Sequence, residues 1–218
     1  MSDRIMEAGS SIGGNRCSAE EIVAIPGLNL IIAPDRQHGS CSALNVSLAV
    51  ADVAGFLGKK AEHSRVLVFS LGNARKTAEQ MITQYNAMLG DLTVIYAYQK
   101  GTFGNRIEEG LDVFLKDNPH TKMIIIDSLE EVIETEVGRM EYDSAYRKLC
   151  AIKNIADKHD VAILVGTHIR VPKGSRLTDI VDMVLDINKS RIQNGKECIL
   201  HVTGKNIAKK EIAITFEP

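Results

Sequence analysis

The chain has 218 residues, of which 44% are apolar and 25% charged, with a formal net charge of −2, enough for one large domain with a full core. The near-neutral balance excludes a generally basic nucleic-acid coat and leaves only local basic patches open, and no apolar run reaches the length of a membrane span. The polar start MSDRIMEAGSSIGGNR lacks the apolar segment of a secretory signal, so a cytoplasmic location with no membrane partner is expected.

The four cysteines, Cys17, Cys41, Cys150 and Cys198, are scattered without a CxxC pair, a pattern of reduced thiols rather than a disulfide framework or a zinc site. His38, His63, His120, His159 and His201 show no metal-ligand spacing, so no metal site is expected among them.

Residues 1–17 are polar and rich in glycine and serine, and are expected to form a flexible arm. Residues 18–218 are read as a single domain. Ser18-Ala19-Glu20-Glu21 carries the N-cap signature of a helix start. Pro26-Gly27 then breaks the chain before an apolar strand over Leu28–Ala33. A polar turn follows, and then a helix over 42–57 that is apolar on nearly every side, as expected of a helix buried against more than one layer. Strand, turn and helix in this order form the layout of a phosphate-binding loop.

Further along, apolar strands over 65–70 and 92–98 alternate with helices over 74–89 and 107–116. The strand over 122–127, KMIIID, ends in an acid. Residues 128–143 hold six acids against one arginine. A helix over 142–158 and a strand over 161–166 complete the alternation. The last third reads as short strands over 183–187, 198–203 and 211–216, with turn signals at Gln193-Asn194-Gly195 and Gly204. Solid apolar strands separated by helices predict an α/β fold with a mostly parallel sheet covered on both faces. The terminal hairpin strands extend one edge antiparallel. In such sheets ligands sit at the carboxyl ends of the strands, which directs attention to residues 33–41, 71–73, 127–128 and 167–168.

Several pieces, in order, carry a family resemblance: SAEEI before the first strand, RVLVFSLGNA, KMIIIDSL, AILVGTHIRVPKGSRLTDIVDMVLDI and the closing HVTGKNIAKKEIAITFEP. From about Ser18 to Phe216 the chain resembles RecA-fold P-loop ATPases, in the group of RepA-type plasmid and mobile-element replication helicases. The resemblance implies a RecA-like fold, a site for magnesium and ATP, ring-forming or replication partners, and contact with DNA.

The residues that such chemistry needs are largely missing. A working loop, GxxxxGK[ST], cradles phosphates with backbone amides, reaches the β- and γ-phosphates with lysine and holds magnesium with a hydroxyl. The aligned octet here is Pro34-Asp35-Arg36-Gln37-His38-Gly39-Ser40-Cys41. Gly39 is kept, Ser40 stands at the lysine position and Cys41 at the hydroxyl position. An ammonium about 4 Å from a phosphate oxygen contributes roughly 4 kcal/mol at intermediate effective dielectric, and serine has no charge with which to replace it. Asp35 adds negative charge nearby. Cys41 has two readings: a thiol activated at a helix N-terminus, or a small packing residue. The resemblance places a water-activating glutamate after the second strand, where this chain has Gly72 and Asn73; asparagine can orient a water but cannot accept its proton.

Other positions keep their residue type. Asp127 matches the carboxylate of the Walker B strand, with capping of a turn or pairing with Ser40 or Ser42 as the plainer reading. Thr167 and His168 match the polar strand tip that senses the γ-phosphate, or are loop-start residues bonded to backbone. Lys205, in TGKN, matches a basic finger that reaches a neighbouring subunit, or is a solvated turn lysine. Arg170, Lys173 and Arg176 fall in the loop that faces DNA in RecA-fold rings, and residues 189–210 hold six Lys/Arg against one acid; the alternative is a charge-balanced solvated face. The expected function is therefore a RepA-like protein without ATPase activity and without a bound cofactor. It would act as a scaffold or accessory factor, as a homo-oligomer or with a replication partner. Two alternatives are an ATPase with an atypical loop that still uses ATP and magnesium, and a nucleotide-independent DNA-binding accessory protein.

Overall fold

Nine strands and four helices make up the described part of the molecule. In chain order they are β1 (Ile5–Glu7), β2 (Gly27–Ile32), β3 (Arg65–Ser70), β4 (Val94–Ala97), α1 (Ile107–Asp117), β5 (Thr121–Asp127), α2 (Leu129–Val132), α3 (Tyr142–His159), β6 (Ala162–Thr167), α4 (Arg176–Ile180), β7 (Met183–Lys189), β8 (Glu197–Gly204) and β9 (Ile207–Phe216). The computed structural model describes residues 5–7, 26–33, 65–70, 94–97, 107–133, 142–168, 171, 175–189, 197–205 and 207–216. The helix start at Ser18 and the helices expected over 42–57 and 74–89 lie outside them.

The strands form one sheet in the order β1-β9-β8-β7-β2-β6-β5-β3-β4. From β7 to β4 every pairing is parallel. β8, β9 and β1 extend the β7 edge antiparallel, as the hairpin signals predict. Of the arm expected over residues 1–17, Ile5–Glu7 forms a short edge strand, with Ile5 opposite Phe216 and Glu7 opposite Ile214. Three residues have no periodicity of their own; the open backbone edge of β9 supplies the pairing.

β2 is central and buried along its whole length. On one face Leu28, Leu30 and Ile32 join Ile124, Ile126, Ile163 and Val165 in a core closed by the helices. Ile107, Leu111 and Leu115 of α1 recur every four residues, and Ala145, Leu149, Ile152 and Ala156 of α3 recur every three or four, so each helix turns one apolar stripe to the sheet. The opposite face, with Ile31, Met123, Ile125, Leu164, Met183 and Leu185, is equally buried. Burial on both faces is why these strands read as unbroken apolar runs.

The helix ends are chemically marked. The Asn118 amide and side chain both donate to Phe114 O, at 2.9 and 3.0 Å, stopping α1. α3 ends where Asp160 adopts φ 50° and the Val161 amide returns to Ala156 O at 3.1 Å, a left-handed stop that aspartate tolerates. The two helices are tied by Asp112, which accepts from Lys116 at 2.8 Å, Lys158 at 2.6 Å and His159 Nε2 at 2.7 Å. These donors, His159 foremost, hold the Asp112 carboxyl well below the usual aspartate range.

Asp182 gathers the amino end of the sheet. Its Oδ2 accepts from the Leu28 amide and from Lys153 Nζ, each at 2.9 Å. Its amide donates to Leu28 O at 2.7 Å, and its carbonyl accepts the Lys205 amide at 3.1 Å. Burial pushes the carboxyl up, but Lys153, the Leu28 amide and the nearby Lys205 charge outweigh it and hold the group below its ordinary value. Burial pushes the Lys153 ammonium down, and its bonds to Asp182 and Asp157 reverse that and raise it. Gly27 makes the contact possible: at φ +123° a Cβ there would meet Asp182 Oδ2 at 2.3 Å.

Candidate functional site

The carboxyl ends of β5 and β6 lie side by side, with Asp127 opposite Gly166 and Asp127 also opposite Ser70 of β3. β5 therefore delivers Asp127 to the rim where a parallel sheet binds ligands. The Asp127–Ser128 peptide is cis. The chain then turns into α2, a single turn anchored in the core by Leu129 and stopped by the Ile133 amide bonding to Leu129 O at 3.1 Å. This turn carries Glu130 over the tip of β6.

Three donors converge there on one oxygen. Thr167 Oγ1 donates to Glu130 Oε1 at 2.5 Å, the His168 amide donates to it at 3.0 Å, and His168 Nδ1 lies 3.3 Å away. Thr167 is 2% exposed, whereas the His168 side chain is 37% exposed and that of Glu130 only 13%. Burial pushes the Glu130 carboxyl up. Hydrogen bonds from Thr167, from Ser128 and from its own amide, with the His168 ring adding attraction, prevail and hold it below the usual glutamate range. Glu130 is thus a carboxylate at neutral pH, fixed in a nest of donors.

The structure brings together Asp127, Thr167 and His168 from the sequence-predicted set and adds Glu130. In the sequence Glu130 is one acid among the six of residues 128–143, a run that reads as a solvated face. Its one local signal is its place three residues after Asp127, at the start of the turn that a Walker B-like strand leads into. The loop Pro34, Asp35, Arg36, Gln37, His38, Gly39, Ser40 and Cys41, together with Gly72, Asn73, Arg170 and Lys173, lies outside the described residues.

Lys205 is elsewhere. It follows Gly204, which pairs with Met183 at the amino end of β7, so the six residues of a strand such as β6 separate it from the Thr167 rim, roughly 20 Å at about 3.3 Å per residue. Its ammonium is 48% exposed and lies 3.4 Å from Asp182 Oδ1 of its own chain. Arg176, at the start of α4, is exposed and stacks over the Tyr146 ring at 4.6 Å.

The basic residues of α3 are neutralised locally: Lys148 by Glu108 at 3.0 Å, Lys153 by Asp157 and Asp182, and Lys158 by Asp112. A groove of about 670 Å³ beside β7, β8 and β9 mixes signs, with Lys205, Lys209 and Lys210 against Asp179, Asp186 and Glu211. Among the described residues no group of three His, Cys, Asp or Glu side chains is arranged to hold a metal ion, and no helix is long and apolar enough to cross a membrane.

The donor set does not fit a magnesium nucleotide. Asp127 offers one carboxylate to a hydrated cation, but the Thr167 and His168 donors that would face a terminal phosphate are already held by Glu130. A phosphate brought there would meet two carboxylates.

No family model matches the chain, and no curated protein matches it. Among solved structures it is similar to a helicase ATPase domain, at TM-score 0.64 and 11% identity over 87% of this chain and 81% of that one. At that identity the likeness is one of fold. It agrees with the strand order described above, and the fold is RecA-like α/β.

Proposed function

We propose that this chain is a RepA-like member of the RecA-fold proteins that has lost nucleotide turnover and serves as a scaffold or accessory factor in plasmid or mobile-element DNA replication. The observation that carries the reading is the Glu130 carboxylate held by Thr167 and His168. A RecA-like site needs its strand-tip donors for a phosphate, and this chain gives them to its own acid. The sequence supports the same reading at three other positions: Ser40 for the lysine, Cys41 for the hydroxyl, and Gly72-Asn73 for the water-activating acid. Loss of one function accounts for all four; retained hydrolysis would need a separate compensation for each. As a scaffold the chain would act through self-association or a replication partner protein, with no bound cofactor.

The test is magnesium-dependent ATP turnover and nucleotide affinity of the purified chain. Turnover no higher than the no-protein control is expected. Turnover abolished by Asp127→Asn would overturn the reading in favour of ATP hydrolysis, the activity that the structural neighbour's name carries.

A second reading has one observation in its favour. The exposed Arg176 guanidinium, steadied on Tyr146, belongs to the same sequence stretch as Arg170 and Lys173 and would contact DNA phosphates without nucleotide. Salt-dependent DNA binding, weakened by Arg176→Ala, is the expected sign of it; absence of binding at low salt would remove it.

A further inference from the structure

We propose that Glu130 is a resident intramolecular anion, whose carboxylate fills the donor nest formed by Ser128, Thr167 and His168 and closes that nest to external oxyanions such as inorganic phosphate. The inference deepens the functional reading above by naming what shuts the site.

A hydroxyl, a backbone amide and an imidazole meeting at one point are the groups that hold a phosphate oxygen, and carboxylate and phosphate oxygens are interchangeable acceptors for them. Here all three meet Glu130 Oε1, at 2.5, 3.0 and 3.3 Å. The occupant is tethered at short range. Leu129 is fully buried and Ile133 nearly so, and the Glu131 amide bonds to Ser128 O at 3.1 Å, so α2 holds the carboxylate against the tip of β6. A ligand tethered this closely competes at an effective concentration of about millimolar or above. An external anion must displace it and then sit beside its charge and that of Asp127. The contact is therefore self-inhibitory: the donors are present, aimed outward from the carboxyl ends of the strands, and occupied.

The test follows the His168 amide by two-dimensional NMR during titration of the full chain with inorganic phosphate at constant ionic strength and pH. It uses neither ATP nor magnesium, so its outcome is separate from that of the turnover assay. In the native chain the His168 amide is expected to stay in place. In Glu130→Ala it is expected to shift saturably, with phosphate affinity raised at least about tenfold. Glu130→Gln keeps the side-chain length and removes the charge, and it is expected to gain a phosphate response as well. If the alanine variant loses the native amide spectrum, the glutamine variant decides alone. Equal responses in native and variant chains, or no response in a natively folded variant, would overturn the proposal.

Discussion

Replacing Asp182 by asparagine tests how the amino end of the sheet is held. The amide keeps an oxygen for the Leu28 N–H, now 2.9 Å from Oδ2, but removes the charge facing Lys153 Nζ at 2.9 Å, where the side chains are 22% and 20% exposed. At that separation and an effective dielectric of about 20, the gross attraction is roughly 6 kcal/mol. Desolvation of the two ions offsets most of it, and the weaker neutral bond to Leu28 gives up about 1 kcal/mol more. The expected net loss is roughly 2–4 kcal/mol, or about 5–15 °C in the midpoint for a chain of this length. Lys205, 3.4 Å away and 48% exposed, is a control: Lys205→Ala should cost less than about 1 kcal/mol.

The pH dependence follows from the directions of the two shifts. Asp182 is depressed, so its contribution is full above the unfolded value of about 3.9 and is lost as pH falls through the lower folded value. Lys153 is raised, so its contribution is full below about 10.4 and is lost as pH rises through the higher folded value. The stability gap between native and Asp182→Asn chains should form a plateau between these limits and narrow at both ends. Urea unfolding followed by far-ultraviolet circular dichroism across pH measures it. A gap below about 0.5 kcal/mol at neutral pH, the range of an ordinary surface substitution, would refute the reasoning. So would an equal cost for Lys205→Ala.

Two further outcomes are expected. Leu111→Ala removes a fully buried α1 side chain from the helix–sheet core and should cost about 2–5 kcal/mol in urea unfolding; a loss below that range would mean that α1 does not pack as described. Gly27→Ala places a Cβ 2.3 Å from Asp182 Oδ2 at φ +123° and should cost about 1–3 kcal/mol in backbone strain alone, with more from the clash. Combining it with Asp182→Ala should cost less than the sum of the single changes, and strict additivity in that pair would refute the contact.

The parallel strands were legible because burial on both faces leaves nothing but apolar residues between helices: the predicted strand over 65–70 coincides with β3, and those over 122–127 and 161–166 match β5 and β6 within a residue at each end. Helices α1 and α3 announced themselves by their three-and-four spacing. α4 did not, because its five residues, RLTDI, are too few to show a period. β9 begins at Ile207, four residues before its sequence signal, because the stretch IAKK lacks alternation and is drawn into the sheet by β8. The site was half legible. Asp127, Thr167 and His168 were marked by their places at strand ends, but a pairing across 37 positions, Thr167 to Glu130, exists only once β6 lies beside β5. Asp182 escaped notice for the same reason, its partners Leu28, Lys153 and Lys205 being scattered along the chain.

The central place of β2 has a consequence for how the chain acquires its fold. Its neighbours on the two sides are β6 and β7, and the bond from the Leu28 amide to Asp182 spans 154 positions. During synthesis the apolar segment Leu28–Ile32 must wait for residues 162–187 before either of its edges can be satisfied. Such long-range closure is slow, and an unpaired apolar strand is the kind of surface on which nascent chains aggregate. A chain truncated before residue 160 would retain β2 but neither strand that flanks it, and should appear as an insoluble product rather than a smaller domain.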